Sequence, residues 1–142
     1  MLFMRYQGRY TPSRPRKYKG DPKNIIYRSS WEYKFMRWCD DTPSVAEWGS
    51  EEIAIPYISP TDGKRHRYFP DFYVKIANKK YLIEVKPFRQ TKEPKTQKKI
   101  TKTYIREVVT WSVNSAKWKA ATEFCKDHNW KFMIITEKEL KI

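Results

Sequence analysis

The stretch of residues 70–87, PDFYVKIANKKYLIEVKP, leaves the chain few ways to fold. Residues 72–77 and 81–86 are rich in β-branched and aromatic side chains, and Asn78-Lys79 between them suits a tight turn, so a two-stranded hairpin is expected. A two-residue turn at that place sets Asp71 opposite Lys86 and Tyr73 opposite Glu84. These four share one face. Phe72, Val74, Ile76, Tyr81, Ile83 and Val85 form an apolar surface on the other, which must be buried. A three-residue turn would instead carry Asp71 to the face away from Glu84.

An acid at the start of one strand, with an acid and a lysine two apart on its neighbour, suits the hydrolysis of a phosphodiester. Two carboxylates a few ångströms apart repel each other, and a hard divalent cation relieves that repulsion while keeping positions for water and a phosphate oxygen. An ammonium beside them can orient or help deprotonate an attacking water. The two-residue period of a strand brings Glu84 and Lys86 together without further help.

Pro70-Asp71 followed by Glu84-Val85-Lys86 resembles the PD-(D/E)-x-K nuclease motif. The surrounding residues, from Tyr6 to the Ile134-Ile135-Thr136-Glu137 stretch, resemble the TnsA-type transposon endonucleases. In length and basic N-terminus the chain is more similar to the head completion nucleases of tailed bacteriophages. That resemblance implies a restriction-endonuclease-like α/β fold and a magnesium ion, replaceable by manganese, on Asp71, Glu84 and the Val85 carbonyl. It implies a water aligned by Lys86, and a first-helix glutamate projecting over the hairpin, a position that only Glu32 matches. It also implies DNA as substrate, action on the packaged head before tail joining, and a place in the host cytoplasm or at the head–tail junction of the virion, next to portal or connector proteins. The alternative is a DNA-binding head-closure protein that keeps the fold without turnover.

Composition bounds the reading independently. The 142 residues are expected to make one domain with a single core, and no apolar run is long enough to cross a membrane. Lys and Arg number 30 against 16 acids, a formal charge of +14 that calls for a polyanionic partner. Cys39 and Cys125 lie far apart without zinc spacing and are expected to be buried free thiols.

The charge is concentrated in two segments. Residues 1–23 are expected as a basic arm preceding a nuclease domain of residues 24–142. Arg14, Arg16 and Lys17 are its candidate DNA contacts, with Tyr6, Tyr10 and Tyr18 interleaved. Two readings stand side by side: a tail packed loosely on the domain, or an arm that tracks phosphates and stacks on bases. Residues 87–106 must emerge beside Lys86. Arg89, Lys95, Lys98, Lys99 and Lys102 within them are expected to clamp the substrate backbone.

Elsewhere, Ser29-Ser30-Trp31-Glu32 fits a capping box opening a helix over residues 29–41, with Trp31, Phe35 and Trp38 as its apolar stripe. Glu32 is then either a closing cap residue or the site's further acid. Residues 53–58 read as a short strand, with Glu51 and Glu52 as solvated charges before it. His66 is either a proton shuttle or a surface histidine. Residues 104–111 are ambiguous between helix and strand, 114–128 an amphipathic helix, 131–136 a buried strand and 137–142 a closing turn. The sum is a mixed sheet of about four strands flanked by helices.

Overall fold

Ser29 starts the first long helix, α1 (Ser30–Asp41), by accepting from the Glu32 amide at 3.1 Å, which satisfies one of the free donors of the first turn. The computed structural model that shows this describes residues 7–141. The buried stripe of α1 is turned one step from expectation. Trp31 and Phe35 are inside, but the line continues through Met36 and Cys39, and Trp38 is 44% exposed. Glu32, at the head of that buried line, is therefore aimed inward.

Four strands form the main sheet in the order β3 (Val45–Ser50), β6 (Phe72–Ile76), β7 (Lys79–Val85) and β8 (Lys131–Ile135). The first two pairings are antiparallel and the last is parallel, so the sheet is mixed as expected. Its membership differs. Strand β3 was not foreseen, and the expected strand at residues 53–58 is β4 (Ile55–Ile58), which among the described residues pairs only with β5 (Arg65–Tyr68), in a separate hairpin. The parallel pairing needs a crossover, which α2 (Lys102–Asp127) provides. This single 26-residue helix settles the ambiguity over residues 104–111 in favour of helix. Thr101 caps it by accepting from the Tyr104 amide. Its first half stays outside the core, with Ile105, Val108 and Val109 exposed. The closing α3 (Glu137–Leu140) is held by a full capping box between Thr136 and Glu139. Strand β8 lies at the sheet edge and is half-exposed rather than buried, with Met133 open to solvent.

Both faces of the sheet are covered, which is why its central strands are apolar on both sides. On one face Phe72, Val74, Ile83 and Val85 pack with α1 and Leu140. On the other, Tyr73 and Leu82 pack with Trp118, Ala121 and Cys125 of α2 and with Ile55 and Tyr68 of the small hairpin. Cys39 and Cys125 are buried free thiols, and burial pushes the Cys125 thiol up to about 11.

The described part of the expected arm is stitched into the domain. Strand β1 (Gly8–Arg9) pairs with β2 (Ile26–Tyr27), while Tyr10, Tyr18 and Ile25 lie in the α1-side core. Tyr18 stands edge-on to Trp48 at 4.8 Å. Asp40, fully buried, accepts from the Tyr10 hydroxyl at 2.9 Å, the Ser13 amide at 2.6 Å and the Arg14 amide at 3.0 Å. Tyr6 and the residues before it lie outside the described residues.

Candidate active site

The turn of the central hairpin falls at Ala77-Asn78, with φ of +49° and +68°, one residue earlier than expected. Positive φ at both central residues is the mirror-image turn whose twist matches the flanking strands. The register runs from Ile76↔Lys79 to Phe72↔Ile83, so Tyr73 faces Leu82, not Glu84. Continued one step, it brings Asp71 beside Glu84, in place of the expected Asp71–Lys86 pair. The register has shifted by two residues, which preserves side-chain parity, so Asp71, Glu84 and Lys86 still share the face toward α2 and the β4–β5 hairpin.

Three of the four carboxylate oxygens at this strand end have neighbours. Asp71 Oδ2 accepts from the Val85 amide at 2.8 Å. Glu84 is 6% exposed, and its Oε1 accepts from the Tyr68 hydroxyl at 2.7 Å. Its Oε2 lies 3.6 Å from the Lys86 ammonium. Asp71 Oδ1 accepts from no donor among the described residues. Desolvation, then the adjacent charge of Glu84, holds the Asp71 carboxyl well above the usual carboxylate range, outweighing the Val85 amide that favours its ionised form. The site carries more negative charge than its own donors neutralise.

The Val85 carbonyl is disposed toward the same place. A strand residue in a hydrogen-bonded antiparallel pair turns its N–H and C=O to the same neighbour, and the Val85 N–H is turned to Asp71. The residue opposite Val85 in this register is Pro70, which has no N–H to give. Among the described residues no three His, Cys, Asp or Glu side chains gather into a cage for a metal ion. Two carboxylates and a main-chain oxygen match instead a hard cation that keeps water and takes phosphate oxygens, the habit of magnesium.

Glu32 joins from α1. It does not complete the expected box, because its Oε1 accepts from the Arg28 amide at 3.2 Å and not from that of Ser29. Burial is the largest influence on its carboxyl and raises it. The Arg28 amide opposes this, and the charges of Glu51 and Glu84 add to it. Glu32 thus lies within the field of the hairpin acids, and Asp71 in turn feels the charge of Glu32. Glu51 and Glu52 are exposed as expected, Glu51 paired with Arg28 and Glu52 accepting from the Tyr18 hydroxyl.

Two neighbours of the site were missed in the sequence. Tyr68, whose hydroxyl burial and the Glu84 charge strongly favour in its neutral form, fixes one Glu84 oxygen. Lys117 of α2 stands over the Tyr68 and Tyr57 rings at 5.6 and 5.9 Å. The only available signal for Tyr68 was its place three residues before Asp71. His66 bonds Asp62 at 2.8 Å in the exposed hairpin turn and is not part of the acidic cluster.

The expected DNA contacts divide into two groups. Lys17 donates to the carbonyls of Cys39, Asp40 and Thr42 at 2.8, 3.1 and 2.9 Å, capping α1. Charge-assisted hydrogen bonds contribute about 1.5–3 kcal/mol each against about 0–1 for a surface ion pair, so Lys17 is a helix cap and not a free phosphate contact. Arg14 donates to the Asp40 carbonyl and pairs with Asp41. Arg16, Arg89, Lys95, Lys98, Lys99 and Lys102 are exposed.

The family described as TnsA-like endonuclease N terminal matches residues 42–137, from the end of α1 to the first residue of α3. The chain belongs to this family. It is also 41% identical over 143 residues to the head completion nuclease of Enterobacteria phage T4, covering 97% of this chain and 95% of that protein. No solved structure matches the chain. As a TnsA-like endonuclease it has the restriction-endonuclease-like α/β layout, and the matched segment contains Asp71, Glu84 and Lys86. Glu32 falls outside that segment, although the similarity to the phage protein extends over nearly the whole chain. No helix among the described residues is long and apolar enough to cross a membrane.

Proposed function

We propose that this TnsA-like endonuclease is a metal-dependent deoxyribonuclease that acts on packaged phage DNA before head and tail join. The observation that carries the chemistry is the pairing of Asp71 with Glu84 at one strand end, with Asp71 Oδ1 unengaged and Lys86 alongside. Asp71, Glu84 and the Val85 carbonyl would hold a magnesium ion, with manganese as a substitute. When bound, that ion supplies charge neutralisation to the phosphodiester and acidifies a water.

The remaining work belongs to side chains. Tyr68 keeps one Glu84 oxygen occupied and so sets which oxygen faces the substrate. Lys86 orients the attacking water and offsets phosphate charge. Glu32, held less acidic than an ordinary glutamate, can take the proton of that water. Arg89, Lys95, Lys98, Lys99 and Lys102 lie along the duplex backbone. The name of the T4 relative supports the head-completion context. The host cytoplasm or head–tail junction as its place, and portal or connector proteins as partners, are part of this proposal and go beyond that name.

The test is plasmid cleavage with and without magnesium. Wild type should nick or linearise the plasmid only with the metal, and Asp71→Asn and Glu84→Gln should do neither while still binding DNA. Full activity in either variant would sink the assignment of the site. No cleavage by wild type under any divalent cation, with DNA binding intact, would favour a head-closure protein without turnover. Glu32→Gln should keep its melting temperature and lose about two orders of magnitude in rate. Unchanged turnover would leave Glu32 as no more than the acceptor for the Arg28 amide.

A further inference from the structure

A second concave site lies just past the active-site hairpin. The chain leaves Lys86 through Pro87 into a 3₁₀ turn, Phe88–Thr91, anchored by the Phe88 amide donating to Glu137 at 2.7 Å. Between this turn and the exposed first half of α2 is a cleft of about 370 Å³ whose walls include Arg89, Lys92, Arg106, Glu107, Trp111 and Asn114. That volume falls within the range of about 300–1,000 Å³ usual for ligand sites. Arg89 is three residues from Lys86, so the mouth of the cleft is within about 11 Å of the catalytic lysine along the chain.

The lining has the parts of a nucleotide site. Trp111 is half-buried and stands edge-on to Trp118, 6.0 Å between centroids at 81°, which fixes its ring while leaving part of it open. Asn114, a turn further along α2, is 8% exposed, and its side-chain amide meets no hydrogen-bond partner among the described residues. A primary amide offers a donor and an acceptor side by side, the pattern that a base edge presents. Glu107 adds an acceptor for an exocyclic amine. Arg89, Lys92 and Arg106 bring three cations, of which Arg89 and Arg106 form no ion pair within the described chain.

We propose that this cleft binds one unpaired nucleotide next to the scissile phosphate, its base stacked on Trp111 and its edge read by Asn114. The nuclease would then prefer DNA with a single-stranded tail or flap at the cut over a continuous duplex, whose bases are already stacked. The inference rests on the nuclease reading and names its substrate class. A fully paired strand can reach the Lys86 side of the cleft with its phosphates, but it cannot fill the aromatic and amide part.

The experiment measures binding of the full chain in EDTA, by fluorescence anisotropy, to a blunt duplex and to the same duplex with a short single-stranded tail. Wild type should bind the tailed duplex about tenfold more tightly, the scale of one base–aromatic stack. Trp111→Leu keeps the packing against Trp118 and should erase the preference without weakening blunt-duplex binding, whereas Trp111→Tyr should retain it. Arg106→Glu, at an exposed position, should weaken the tailed duplex more than the blunt one and guards against a folding defect at Trp111. Equal affinity of wild type for both duplexes, or an equal loss on both in Trp111→Leu, would overturn the proposal. Plasmid cleavage with magnesium is run in parallel. If wild type cleaves but shows no tail preference, only the cleft assignment fails, whereas absence of cleavage is a failure of the nuclease reading itself.

Discussion

The two basic segments of this chain look alike as sequence and behave differently once folded. Residues 7–23 are nailed to the domain: Lys17 gives its three hydrogen bonds to the C-terminal carbonyls of α1, Arg14 follows, and Tyr10 and Tyr18 are core residues. Residues 92–102 turn Lys95, Lys98, Lys99 and Lys102 into solvent with no ion pair among the described residues. Charge count therefore overstates the electrostatic footprint of the first segment. A helix C-terminus attracts a cation as a phosphate does, and here it is reached at no cost in association entropy.

The largest effect separates binding from chemistry. Asp71→Asn should abolish measurable cleavage while the salt dependence of DNA binding stays that of wild type, so both basic segments can be compared on an uncut substrate. A changed salt slope would mean that Asp71 also shapes the binding surface. The same substitution should alter stability with pH. The Asp71 and Glu32 carboxyls are raised in the folded chain. Their contribution to stability is therefore present below the ordinary carboxylate value of about 4 and is lost as pH rises through their folded values. Urea midpoints without divalent cation should fall for wild type from mildly acid to neutral pH, and fall less for Asp71→Asn.

Next in size is the buried anchor of the N-terminal segment. Asp40→Ala would leave the Tyr10 hydroxyl and two amides without their acceptor, a loss of about 3 kcal/mol or more in urea unfolding. An unfolding curve unchanged from wild type would show that residues 7–23 are not docked as described. Lys17→Met should cost at least the ~1.5–3 kcal/mol of one charge-assisted hydrogen bond and leave the salt slope unaltered. If it made the slope shallower instead, Lys17 would be a phosphate contact and the contrast between the segments would collapse. The smallest stability effect belongs to the other segment. Replacing Lys95, Lys98 and Lys99 together by alanine should keep the melting curve within about 0.5 kcal/mol of wild type. The slope of log K against log salt should then become shallower by about 0.9 for each phosphate that the variant no longer neutralises, for all sequences alike.

Legibility varied with the kind of force involved. The hairpin acids were readable because any two-residue turn keeps the same side-chain parity, and a register error of two residues leaves Asp71, Glu84 and Lys86 together. The turn itself was misplaced, since Ala77 at positive φ runs against its own propensity and is held there by the flanking ladder. Strand β3 was missed because Val45–Ser50 carries a glutamate and a glycine and has little strand signal of its own. It is a strand because β6 offers it an edge. Tyr68 could not be joined to Glu84, nor Lys117 to Tyr68, in advance, as they come from a different hairpin and from the crossover helix.

By itself the sequence determined the local periodicities: the two-faced hairpin, the cap at Ser29, the helical patterns of residues 29–41 and 114–128, and the pairing of Glu84 with Lys86 that a period-two strand must place together. The tertiary structure alone decided which charges are spent inside the molecule and which remain for a partner, which carboxylate oxygen is left open, and that α2 stands beside the exit of the hairpin to make a cleft. The reason is physical. Local pattern follows from covalent geometry and side-chain shape, which act over a few residues. Desolvation, pairing of charges and the partner of each hydrogen bond depend on groups brought together from distant parts of the chain.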